Sequence, residues 1–166
     1  TRERRAVTVN YDVRVPANTK ILSVSDSGET TIAGLTGAVD VRTQSGTIAL
    51  QRIGGATTIS TGSGAVVVEG TKGPLTVTTS SSAFTARALG GNLHVRTMSG
   101  AVKAGFEGLG DVDVETGSSA IQLRGVRGAL TAATRSGHVA IEGKPDRQWA
   151  VSTGSSSIDV DVASPP

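Results

Sequence analysis

A four-residue signature, Thr-x-Ser-Gly with Ser accepted in the last place and once in the first, returns eight times along this 166-residue chain. The copies are Ser25-Asp26-Ser27-Gly28, Thr43-Gln44-Ser45-Gly46, Thr61-Gly62-Ser63-Gly64, Thr79-Ser80-Ser81-Ser82, Thr97-Met98-Ser99-Gly100, Thr116-Gly117-Ser118-Ser119, Thr134-Arg135-Ser136-Gly137 and Thr153-Gly154-Ser155-Ser156. Their first residues lie 18, 18, 18, 18, 19, 18 and 19 positions apart. So short and strict a period marks a stack of repeating coils, each too small to bury its apolar face alone and completed by its neighbours. Any function then lies on the faces and edges of the stack.

One coil shows the local logic. Val39, Val41, Thr43 and Ser45 share one parity and Asp40, Arg42 and Gln44 the other, which is strand alternation. After Gly46 the phase shifts by one, and Ile48 and Leu50 carry the apolar side until Ile53-Gly54-Gly55 turns the chain. Each unit is therefore strand, Ser-Gly corner, strand, Gly-rich corner. The same template recurs from Ile59, Thr61, Val66 and Val68 through to Trp149, Val151, Thr153, Ile158 and Val160, and no segment sustains a helical period. About four buried apolar side chains per coil, at ~1.5–3 kcal/mol each, offset only part of the ~1–2 kcal/mol per residue that ordering the backbone costs. Stacking is thus a condition of folding.

Composition agrees. The chain has two Phe, one Tyr and one Trp, so the interior must be filled by aliphatic and small hydroxyl side chains. The 22 glycines fall in register with the repeat, as turn residues do. The net charge is only +2 and the basic residues are scattered apart from Arg2-Glu3-Arg4-Arg5, so nucleic acid is not an expected partner. No cysteine is present, no apolar run approaches the ~20 residues that cross a bilayer, and no signal peptide opens the chain. The chain reads as soluble, without direct membrane insertion. Its start at Thr1 and its Pro165-Pro166 end suggest an excised domain whose leader or anchor lies elsewhere.

The signature Thr lies in phase with the inward valines, so its methyl is expected in the core and its hydroxyl on backbone groups of the corner. An outward ice-binding array is thereby disfavoured. Val7, Val9, Tyr11, Val13 and Val15 alternate before Pro16 and predict an N-terminal capping strand within residues 1–20. Coils occupy 21–162 and a tail 163–166, all in one domain, 1–166. At the far end Trp149 supplies the largest core side chain of the last full coil. The two 19-residue intervals place an extra residue near Gly105–Gly110 and near Glu142–Arg147, so that edge is expected to carry the longer loops and a binding site.

Little in the chain suggests chemistry. His94 and His138 read as surface residues, with His94 expected beside Asp113 and Arg96 beside Glu115 in the next coil. Asp111, Asp113 and Glu115, like Asp159 and Asp161, alternate along strands without the glycine-rich turn of a calcium loop. The serines lack an elbow motif and no histidine is placed to serve them. No groove is expected to gather the carboxylates of a glycoside hydrolase. No catalytic residue, cofactor site or metal site is assigned.

Tyr11-Asp12-Val13-Arg14-Val15-Pro16, followed by Gly28, Gly34-Leu35-Thr36-Gly37 and Thr43-Gln44-Ser45-Gly46, resembles a large family of bacterial adhesin-like domains of unknown function. Ser82, Ser119 and Ser156 depart from the Gly more usual in that pattern. The resemblance implies a parallel β-solenoid in an envelope-associated or exported protein, without enzymatic activity. The expected fold is an all-β, single-stranded parallel β-solenoid, or β-helix, of about eight coils of ~18 residues. Right-handed winding is favoured and the length is about 35–40 Å. The expected function is a non-catalytic cell-envelope or surface module, an adhesin-type binding or scaffold domain. It would lie in the periplasm, in the envelope or outside the cell, and would bind a surface polymer or protein. The alternatives are a filament former of the bactofilin kind, assembling end to end, and a polysaccharide-acting β-helix enzyme.

Overall fold

The computed structural model describes residues 10–163. Among these residues sixteen strands alternate between two sheets and no helix intervenes. One sheet holds the odd strands: β1 (Ile21–Ser27), β3 (Val39–Ser45), β5 (Thr57–Ser63), β7 (Leu75–Ser81), β9 (Leu93–Thr97), β11 (Val112–Thr116), β13 (Leu130–Thr134) and β15 (Trp149–Thr153). The other holds the even strands: β2 (Thr30–Ala33), β4 (Ile48–Ile53), β6 (Val66–Thr71), β8 (Phe84–Leu89), β10 (Val102–Phe106), β12 (Ile121–Val126), β14 (Val139–Gly143) and β16 (Ile158–Val162). Every strand pairs in parallel with the strand one coil away, so the chain is a β-solenoid of eight turns.

The alternation in the sequence is the alternation in space. Val39, Val41, Thr43, Ile48 and Leu50 are buried, and the equivalent positions stay buried through Val139 and Ile141. The register stacks like on like: Val41, Ile59, Val77, Val95, Val114, Ala132 and Val151 form one column between the sheets. A column this uniform needs no aromatic residue, because each aliphatic side chain packs on its copies above and below.

A further apolar column is less legible. Within β4, β6, β8 and β12, and directly after β2, Arg52, Gly70, Ala88, Gly125 and Gly34 take positive φ, from 54° to 73°. This left-handed residue reverses the parity, so Leu35, Ile53, Thr71, Leu89 and Val126 turn inward after two successive non-core positions, whereas Phe106 in β10 reaches the same column by plain alternation. Arg52 and Ala88 hold this conformation against the ~1–2 kcal/mol that it costs a residue bearing a Cβ.

The Ser-Gly corner changes form partway along the stack. Gly28, Gly46 and Gly64 have φ of 117°, 146° and 125°, a region open essentially to glycine alone. Ser82 occupies the next corner and cannot follow. From there on no corner residue of this series has positive φ, and the odd strands shorten from seven residues in β1, β3, β5 and β7 to five in β9, β11, β13 and β15. The departure from glycine at Ser82 marks the switch.

The two ends differ from expectation. Residues 10–20 carry no strand, and Tyr11 and Val13 are exposed; Val7 and Val9 of the expected capping strand lie outside the described residues. What remains is a turn whose Ala17 carbonyl accepts hydrogen bonds from the Thr36 and Gly37 amides at 2.7 and 3.2 Å. It continues the Gly-rich corner by one level but leaves β2 unpaired on that side among the described residues. At the other end Trp149 is half-buried and donates its indole N–H to the Gly128 carbonyl at 3.0 Å, which anchors the final coil.

Candidate functional site

The odd strands end beside the signature corners, and there the outer surface is concave. A trough of about 1300 Å³ crosses six coils, from Thr43 and Gln44 on β3 to Thr134 and Arg135 at the end of β13. The middle residue of each signature lies along it: Gln44, Gly62, Ser80, Met98, Gly117 and Arg135. Beside these run the outward residues Ser60, Thr78, Arg96, Glu115 and Ala133. Small residues keep the trough open, and at Gly62 and Gly117 nothing larger fits. A Cβ there would stand 2.7 Å from the Gln44 carbonyl oxygen and 2.6 Å from that of Met98.

Charge in the trough is sparse. Arg96 Nε lies 3.4 Å from Glu115 Oε2, the cross-coil pair expected from strand register. Arg135 adds a second guanidinium, so the lining carries two positive groups and one negative among hydroxyls, an amide and the Met98 thioether. Such a surface offers many hydrogen-bonding groups in ranks one coil apart. It offers no aromatic platform and no second carboxylate for acid–base work.

Beneath the trough run the signature threonines. Thr43, Thr61, Thr79, Thr97, Thr116 and Thr134 are buried, as their parity predicts, and stand in register from coil to coil. The hydroxyl role is only partly as expected. Ser25, Thr43 and Thr61 donate to the carbonyls of Ser27, Ser45 and Ser63 at 2.8, 3.3 and 3.2 Å. From Thr79 to Thr153 the hydroxyl has no protein partner, because the glycine-type corner that presented that carbonyl ends at Ser82.

The opposite edge, where the extra residues fall, is occupied by its own ladder. Asn92 Oδ1 accepts from the Asp111 amide at 2.9 Å, Asp111 Oδ1 accepts from the Ala129 amide at 2.9 Å, and Arg147 Nη1 lies 3.5 Å from that same oxygen. Asp111 therefore ties corners together. The trough thus lies on the other edge from the one that loop length favours.

Both histidines face solvent. His94 Nδ1 is 2.9 Å from Asp113 Oδ2, as register predicts. His138 departs from expectation: its Nδ1 is 2.8 Å from Ser157 Oγ and its Nε2 is 3.4 Å from Asp159 Oδ2. A histidine does therefore reach a serine, in the coil beyond. Neither His138 nor Ser157 lines the trough or the depression of about 540 Å³ over β12, β14 and β16, which Asp159 borders. Among the described residues no three His, Asp or Glu side chains gather as a metal site. No helix there is long and apolar enough to cross a membrane.

Fold and surface define the class as a parallel β-solenoid with a polar trough along one edge. Comparison with family models, curated proteins and solved structures finds no match for the chain.

Proposed function

We propose that the protein is a non-catalytic binding and scaffold module of the adhesin type, working at a bacterial surface or in the envelope outside the cytoplasm. It holds a linear polymer lengthwise in the trough. The observation that carries this reading is the trough itself: it runs along the stack rather than into it, and it is lined by hydroxyls at one-coil intervals. A polymer with repeating hydroxyl, amide or carboxylate groups meets a new rank of partners at each step, and Arg96 and Arg135 favour one with some negative charge. The surface and bacterial setting rest on the residues from Tyr11 to Gly46 that resemble adhesin-like domains.

Against a polysaccharide-cleaving enzyme, Glu115 is the one carboxylate of the trough, and it is held by Arg96. Glycoside hydrolysis by the usual route needs two carboxyl groups flanking one bond. The test is a binding screen over linear polysaccharides and surface glycopolymers, with Ser80→Trp as the blocking variant, since Ser80 is exposed midway along the trough. We expect retention of at least one polymer, weakened about tenfold or more by Ser80→Trp, and loss of cell adhesion on deleting the domain. A blank screen with unchanged adhesion overturns the reading, as does a Ser80→Trp variant that binds equally well.

A further inference from the structure

The core is open at one end of the stack. Positions equivalent to Ile158 and Val160 are buried in the coils from β4 to β14, yet in the last coil Ile158, Val160 and Val162 are 39%, 44% and 45% exposed. Their parity is inward, so they are core-type residues that no further coil covers among the described residues. At the other end β1 and β2 also lack a neighbour on one side among the described residues, and Ile21, Ser23, Ser25 and Thr30 are only half-buried.

We infer that the C-terminal coil of one molecule takes the N-terminal coil of a second copy, so that the solenoid continues head to tail between chains. The two ends fit in one register. Trp149 and Ile158 stand nine residues apart, as do Ile21 and Thr30, so β15 can pair with β1 of the next copy while β16 pairs with its β2. Inside the joint Trp149 then meets Ile21, Thr153 meets Ser25 and Val160 meets Ile32. These contacts continue the columns that the chain already builds between its own coils. Outside, Asp159 and Asp161 meet Thr31 and Ala33, and Ala150 meets Leu22, so no charge stands directly opposite another.

Gly28 supplies an independent sign. A Cβ on Gly46, Gly64, Gly100 or Gly137 would overlap the carbonyl of the coil before it, whereas one on Gly28 meets nothing, so among the described residues no corner stands before it. Residues 10–15 do not pair with β2, which is an edge strand among the described residues. Such a contact joins unlike surfaces and does not close on itself, so it yields filaments rather than dimers.

The test uses light scattering and sedimentation of the full chain, with one variant at each end. Val160→Asp places a carboxylate in the exposed end of the core; Ser23→Asp does so at the opposite end. Each alone is expected to weaken self-association about a hundredfold or more and to run as a single chain. Mixed one to one, the intact N-terminal end of the first and the intact C-terminal end of the second should form a two-chain species and nothing longer. Thr31→Asp, an exposed substitution facing Asp159, replaces Ser23→Asp if circular dichroism shows that the latter unfolds. A wild-type chain that stays single at the highest attainable concentration overturns the inference, as does assembly by either variant alone. So does a mixture that remains single chains, which would assign the open end to another segment or another protein.

Discussion

Ser82 shows how much one residue settles. Three upstream corners place glycine at φ above 100°, and there the signature hydroxyl finds a carbonyl two residues on. Serine cannot hold that φ; from Thr79 on the signature hydroxyl has no acceptor, and from β9 on the odd strands are two residues shorter. The threonines are therefore alike in sequence and unlike in energy. Thr61→Val should cost about 1 kcal/mol through its lost bond, whereas Thr116→Val should be neutral or stabilising, since its buried hydroxyl is unpaired. Urea unfolding of the two variants measures the difference, and equal costs would mean that the corner switch has no energetic weight.

At the scale of the strand, position along the stack decides what a side chain is worth. Val95 and Val151 occupy the same column, three steps of register apart, but Val95 in β9 is fully buried and Val151 in β15 is half-buried. Val95→Ala should destabilise by about 1.5–3 kcal/mol and Val151→Ala by half of that or less, measured by thermal or chemical unfolding. On the outer faces, the pairs His94–Asp113, Arg96–Glu115 and Arg124–Glu142 follow the same register. Exposed pairs of this kind contribute less than about 1 kcal/mol and tune alignment more than stability. Parity foretold which faces they share. It did not foretell the inward turn of Ile53, Leu89 and Val126, because a left-handed residue such as Arg52 or Ala88 leaves no mark in a period-two pattern. The apolar residue three positions after Leu50 was the available sign.

For the molecule as a whole, stability should fall from the middle outward. Each coil is bonded only to its neighbours, so the first and last coils lack half of the support that the central ones have. Under conditions where the chain is single, backbone amides of β7 to β12 should exchange with deuterium slowest and those of β15 and β16 fastest. Uniform protection along the stack would contradict a one-dimensional fold. Under assembly conditions, the protection of β16 should rise towards that of the interior.

The chain's eighteen-residue period by itself determined the class of fold, the coil count, the inward threonines and the pairing of Arg96 with Glu115, because translation by one coil carries each residue onto its copy. Periodicity says nothing about curvature or about where the stack stops. The trough along the signature edge, the reach of His138 to Ser157, the loss of hydroxyl partners from Thr79 onward and the bare core at Val160 were decided only by tertiary structure. Each depends on how successive corners bend and on which neighbours the terminal coils lack, and those are properties of the stacked whole.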